Sequence, residues 1–331
     1  MNIIGITMGC PAGIGPEIIV RYFERHTSDA LFHPVVLGDL GILQKCCNEL
    51  NSSLRPVRWQ PGLDIPPASI PVLPLSQLST NSHEWGKPTL KSAKAMVSYI
   101  EKGVKLIQNS QLDAICTCPI SKDALQSAGY TYPGHTEMLA NLTASPQYGM
   151  MMAGKTLRVT LVTIHCALKA VPSLLSIEAI LKLIRLTNLS LKKDFAITSP
   201  RIAVAGLNPH AGENNLFGDE EELLIQPAVQ QGQQEGIDVS GPFPPDTIFF
   251  TAVEDTRYDT VICMYHDQGL IPFKLLHFHN GVNVTIGLSI VRTSVDHGTA
   301  YDIAGKGIAR CDSLVEAVQL ASIISTNRKH H

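Results

Sequence analysis

DTVICMYHDQG, residues 259–269, carries six apolar and β-branched residues (260–265) directly into His266, Asp267 and, one residue later, Gly269. Such a run is the signature of a buried strand, and this one stops on an imidazole. The same construction occurs in LRVTLVTIHC (157–166), ending at His165, and in RIAVAGLNPHAG (201–212), ending at His210. One strand-end histidine is ordinarily a hydrogen-bonded structural residue. Three at equivalent positions ask for a common explanation.

The rest of the chain supplies the frame for these strands. NIIGIT (2–7) precedes the helical pattern PEIIVRYFERH (16–26), with Pro16 tolerated in its first turn. HPVVLGD (33–39) leads into LGILQKCCNEL (40–50), and LDAICTCPI (112–120) into SKDALQSAG (121–129), which closes on a glycine stop. In TLKSAKAMVSYIEKGVKLIQ (89–108), Ala93, Val97, Ile100, Val104 and Ile107 recur at helical spacing and predict one buried face. Further helices are expected over about 177–190 and from near Asp219. The proline-rich segments 60–75 and SGPFPPD (240–246) read as an irregular excursion and a turn. Repeated β-then-α units predict an α/β fold with a mainly parallel sheet covered by helices on both faces. Ligands of such sheets bind beyond the carboxyl ends of the strands, which is where the histidines fall.

Composition narrows the function classes. The 331 residues, 44% hydrophobic and 17% charged, suit a globular protein with a large core. The net charge of −3, with no basic cluster, argues against a nucleic-acid partner. No apolar run reaches the length of a membrane span, and MNIIGITMGC reads as a first strand rather than a secretory leader. The eight cysteines form no CxxC pair, and several lie within apolar strands, which predicts a reducing, cytoplasmic setting. No role is assigned to the closing His330 and His331.

Strands about 4.8 Å apart can bring terminal imidazoles to one point. Three neutral imidazoles suit zinc, cobalt or a similar divalent ion and leave a coordination position open, the mark of a catalytic metal. The separations, 45 residues from 165 to 210 and 56 from 210 to 266, are too long for a local metal motif. Asp246 in FPPDT and Asp267 beside His266 are candidate catalytic carboxylates that could orient an imidazole or relay a proton. Both also suit turns. MGCPAGIGPE (8–17) has Gly13 and Gly15 but Ile18 where a dinucleotide fingerprint needs its third glycine.

PAGIGPE, YPGHTE, GLNPHAGE, MYHDQG, GVNVTIGL and RTSVDHGTAYDIAGKG, in this order, resemble the 4-hydroxythreonine-4-phosphate dehydrogenase family of vitamin B6 biosynthesis, over nearly the whole chain. The resemblance implies a fold like isocitrate and isopropylmalate dehydrogenases: two α/β/α domains with an active-site cleft between them. The first would take residues 1–130 plus about 285–331, the second about 131–284. It implies a homodimer with a shared site and NAD or NADP bound without the glycine fingerprint. It also implies one divalent ion per subunit (Zn2+, Mg2+ or Co2+) on His165, His210 and His266. Substrate contacts fall on His135, Thr136, Lys274, Asn283 and Arg292, which suit a small phosphorylated hydroxy acid. The implied reaction oxidises 4-phosphooxy-L-threonine at C3. A sister group resembling this family acts instead on D-erythronate or D-threonate 4-phosphate.

One residue departs from the family pattern. Where relatives usually carry an acidic residue, this chain has Cys10. The loop from Gly9 to Pro16 is expected to keep its shape, because its glycines and prolines set the backbone. Residue 10 would then either tune anion affinity through its lack of charge or face solvent without effect.

Overall fold

In a computed structural model of the protein, residues 1–26, 32–132 and 134–330 are described. Strands and helices alternate along them. The strands are β1 (Asn2–Thr7), β2 (Phe32–Asp39), β3 (Arg55–Arg58), β4 (Ser69–Ser76), β5 (Ala114–Thr117), β6 (Gly149–Ala153), β7 (Arg158–Leu161), β8 (Ile202–Ala205), β9 (Val239–Phe243), β10 (Thr260–Cys263), β11 (Val282–Ile286) and β12 (Val291–Val295). The α/β class expected from the alternation is the one observed. The chain divides into two compact units, Met1–Pro146 with Leu288–Lys329, and Gln147–Gly287. The motif residue Pro133 and the terminal His331 lie outside the described residues.

The first unit holds parallel strands in the order β3-β4-β2-β1-β5-β12. Its longest internal helix, Leu90–Gln108, begins with a capping box in which Thr89 Oγ1 accepts from the Ser92 amide (3.2 Å) and Ser92 Oγ accepts from the Thr89 amide (2.8 Å). Ala93, Val97, Ile100 and Val104 are buried as the spacing predicts. At the last turn Leu106 is buried and Ile107 only partly so. Gly103 lets this helix approach the sheet: a Cβ there would lie 3.0 Å from Ile115 Cγ2 and 3.1 Å from Leu37 Cδ1.

Two proline-rich readings are corrected. Residues 60–75 are not wholly irregular, because Ser69–Ser76 forms β4, an internal strand. Prolines 71 and 74 hide it, since proline is normally confined to sheet edges. The ladder accommodates Pro74 through a register shift at Gly38/Asp39, opposite the position that lacks an amide donor. Likewise SGPFPPD is only partly a turn, its first residues completing β9.

The second unit has the order β11-β6-β7-β10-β8-β9. β6 runs antiparallel to both neighbours, whereas β7, β10, β8 and β9 are mutually parallel. Val159, Leu161, Ala203, Ala205, Val261 and Cys263 alternate along three adjacent strands into one apolar cluster, completed by Leu270 and Phe273 from the helix His266–His277. Full burial of a phenylalanine such as Phe273 contributes about 2–3 kcal/mol. The cluster therefore anchors that helix, and with it the strand end carrying His266. No helix among the described residues is long and apolar enough to cross a membrane.

Candidate active site

The sheet order places the three histidines just beyond three consecutive strands, which end at Leu161, Ala205 and Cys263 rather than at the histidines themselves. His165 follows β7, His266 follows β10 and His210 follows β8, with β10 hydrogen-bonded to both others. His266 is the first residue of the helix His266–His277. Its Nδ1 lies 2.7 Å from Asp267 Oδ1. As the carboxylate only accepts, Nδ1 carries the proton and the Nε2 lone pair is left for a ligand. The His165 and His266 ring centroids are 5.6 Å apart. Two imidazoles sharing one tetrahedral zinc ion have centroids about 5.2 Å apart, so this pair fits a common ion. Both line a cleft of about 540 Å3 with Cys166, Tyr265 and Asp267.

His210 stands on the neighbouring strand end in a left-handed turn, φ 52°, with its ring 6.2 Å from that of Phe217. As they stand, no three His, Cys, Asp or Glu side chains among the described residues form a complete ligand group. Asp246 occupies an exposed turn after β9, the strand beside β8. Asp267 is drawn to His266, whereas no contact places Asp246 against the histidines.

Of the expected substrate contacts, Lys274 and Asn283 belong to this second unit. Lys274 is half-buried two turns after His266, its Nζ 6.0 Å from the Phe278 ring centre, and Asn283 lies half-buried within β11.

The first unit brings together His135, Thr136 and Arg292. Arg292, on β12, is only 3% exposed. Its Nη2 and Nε donate to Thr117 Oγ1 (2.8 and 3.2 Å) at the end of β5. Burial pushes the guanidinium down to about 10, with Cys116 and Glu137 opposing, so it stays charged at neutral pH. His135 and Thr136 open the helix His135–Leu142. The His135 Nε2 is enclosed without a hydrogen-bond partner, and burial, then the Arg292 charge, hold the ring well below the ordinary histidine range. A buried cation beside a neutral imidazole with an unused nitrogen is suited to an anion that also offers a hydrogen bond. Thr117 was not singled out from the sequence. Its signal was the same as the histidines', a polar residue ending an apolar strand.

Cys10 does not face solvent. It is 1% exposed, its sulfur accepts from Tyr301 Oη (3.2 Å), and the Gly13 amide donates to its carbonyl oxygen (2.9 Å). Gly9 (φ 68°) is required beside it, since a Cβ would lie 2.3 Å from Pro119 O. Burial pushes the thiol up from its ordinary range, with the Tyr301 hydroxyl opposing.

The model of the pyridoxal phosphate biosynthetic protein PdxA matches residues 30–321. The chain belongs to the PdxA family. A 4-hydroxythreonine-4-phosphate dehydrogenase of Desulforapulum autotrophicum is 49% identical, covering 98% of this chain and 96% of that one. A D-threonate 4-phosphate dehydrogenase of Cupriavidus necator is 42% identical over 99% and 98%. The crystal structure of 4-hydroxythreonine-4-phosphate dehydrogenase from Klebsiella pneumoniae superposes with a TM-score of 0.87 at 39% identity, over 98% of this chain and all of that one. The PdxA fold is therefore the fold of this chain.

Proposed function

We propose that this PdxA-family protein oxidises 4-phosphooxy-L-threonine at C3 with NAD or NADP, in pyridoxal 5'-phosphate biosynthesis. The product, 2-amino-3-oxo-4-phosphooxybutanoate, decarboxylates to 3-amino-2-oxopropyl phosphate. The observation that carries this reading is the placement of His165, His266 and His210 on three adjacent strand ends, the first two at a separation suited to one ion. These residues would hold a divalent ion (Zn2+, Mg2+ or Co2+). When bound, such an ion lowers the pKa of a ligated hydroxyl, and a nicotinamide accepts the hydride.

The chain's own groups do the rest. Asp267 fixes the tautomer of His266 and orients its Nε2. Arg292, braced by Thr117, pairs with a phosphate or carboxylate of the substrate, and the enclosed His135 Nε2 bonds the same anionic group. Thr136, Lys274 and Asn283 are the further substrate contacts. Asp246 and Asp267 are the candidate acceptors of the hydroxyl proton.

A second copy of the chain completes the proposal. On the helix His266–His277, Ile271 and Leu275 stand exposed at i and i+4, followed by Phe278 at i+7, and Leu275 is 85% exposed. An apolar stripe of this kind is suited to an isologous homodimer contact. Eight free thiols, seven of them buried, are in keeping with a reducing cytoplasm.

The test compares kcat/KM for 4-phosphooxy-L-threonine with that for D-erythronate and D-threonate 4-phosphates, each with NAD and NADP. Preference for the threonine derivative supports the proposal, and preference for a sugar-acid phosphate transfers the chain to the sister activity. His165→Ala, His210→Ala and His266→Ala should each abolish turnover and lower bound metal. Full activity of His210→Ala after chelation overturns the metal role.

A further inference from the structure

The loop carrying His210 is held from two neighbouring elements. At its root, Gly206 O accepts from Gln268 Nε2 (2.6 Å), while Gln268 Oε1 accepts from the Met264 amide (2.6 Å). Gln268 is 7% exposed and lies two residues beyond His266 on the same helix. One buried amide therefore ties together the ends of β10 and β8, the strands that lead to His266 and His210.

From the other side, the buried Glu221 carboxylate accepts from the amides of Leu207 and Asn208 (2.7 Å each) and from Asn208 Nδ2 (2.9 Å). Two glycines leave it room. A Cβ on Gly206 would lie 3.0 Å from Glu221 Oε1, and one on Gly212 would lie 2.8 Å from Oε2. The backbone between these anchors is unusual: His210, Ala211, Gly212, Glu213, Asn214 and Asn215 all have positive φ, from 43° to 83°. L-residues adopt a left-handed turn only at a cost, so it persists where surrounding bonds over-determine it. Gln268 and Glu221 fix the root of this turn at Gly206, Leu207 and Asn208, and within it the Ala211 amide donates to Asn208 O (3.1 Å) and the Phe217 amide to Gly212 O (3.1 Å).

We propose that Gln268 and Glu221 are positioning residues that set His210 in register with His266, so that the third imidazole can reach an ion held by the other two. Neither touches substrate or ion in this assignment, and the inference rests on the metal reading of the three histidines. Outer-shell partners of this kind are worth about 10–100-fold in metal affinity.

The experiment measures Co2+ binding to the full-length protein, by chelator competition and by visible absorption, which reports ligand number and geometry. Gln268→Glu keeps the acceptor for Met264 but cannot donate to Gly206 O, and Glu221→Gln loses an acceptor for the loop. Gln268→Met, of similar length, serves should the charged variant fail to fold. Gln233→Glu is the control, because Gln233 Nε2 donates to Val239 O (2.8 Å) in the same unit. The expected result is a 10–100-fold weaker Co2+ complex with an altered spectrum in the Gln268 and Glu221 variants and parental binding in Gln233→Glu. If the variants merely lower Tm, as the control does, with affinity and spectrum unmoved, the residues are structural and the inference is overturned. His210→Ala and His266→Ala separate the two failures: parental Co2+ binding in both removes the metal reading, and the positioning role with it.

Discussion

Cys10 and His135 show how far single residues can be read. The neutrality of Cys10 was visible in the sequence, but its burial against Tyr301 was not. Because the Tyr301 hydroxyl donates to the sulfur inside an enclosed site, a side chain that accepts a hydrogen bond suits this position. Cys10→Ser and Cys10→Asp should fold, the carboxylate exploiting the same donor. Cys10→Leu should lose about 1–3 kcal/mol in urea denaturation, because the enclosed site has no room for the larger side chain and the bond from Tyr301 is lost. Equal stability of the Leu and Ser proteins would refute the cradle. At His135 the pH dependence has a definite sign. The folded ring resists protonation, whereas the unfolded chain binds a proton as pH falls through about 6.5. The unfolded state then holds more protons, so stability declines on acidification below that point, by up to about 1.4 kcal/mol per pH unit. His83, also lowered by burial, acts in the same direction. His135→Gln should flatten the slope between pH 6.5 and 5, and an unchanged slope would show that this ring titrates freely.

Among the elements, the helix His266–His277 matters most for the site, because its first residue is a proposed metal ligand and its last is locked. His277 Nε2 lies 2.9 Å from Thr156 Oγ1, and the ring packs so closely on Gly154 that a Cβ there would come within 2.2 Å of its Cδ2. Gly154→Ala must displace the ring, at a cost of about 1–3 kcal/mol in thermal or urea unfolding. Parental stability in that variant would mean the helix end is free to slide. Periodicity revealed the face of the helix Leu90–Gln108, since amphipathic spacing is a local property. It missed β4 because strand formation there depends on partners on both sides, which override the local meaning of Pro71 and Pro74.

On the scale of the whole molecule, the exposed stripe of Ile271, Leu275 and Phe278 leads to a prediction about assembly. Leu275→Glu should shift sedimentation from dimer to monomer at micromolar concentration and reduce turnover, as expected if the partner completes the site. A monomeric parent with full activity at low concentration would contradict the shared site. If Arg292 pairs with the substrate's anion as proposed, Arg292→Met should raise KM strongly while metal remains bound.

The strand–helix alternation, the three strand-end histidines and the family resemblance were all determined by the sequence, because each is a pattern of residue types along the chain. Only the tertiary structure decided that β7, β10 and β8 are neighbours, though they lie far apart in sequence. It alone put Arg292 against Thr117, 175 residues away, and buried Cys10 rather than exposing it. Strand order and side-chain enclosure arise from contacts between distant segments, which local periodicity does not encode, and those contacts place the candidate ligands on adjacent strand ends.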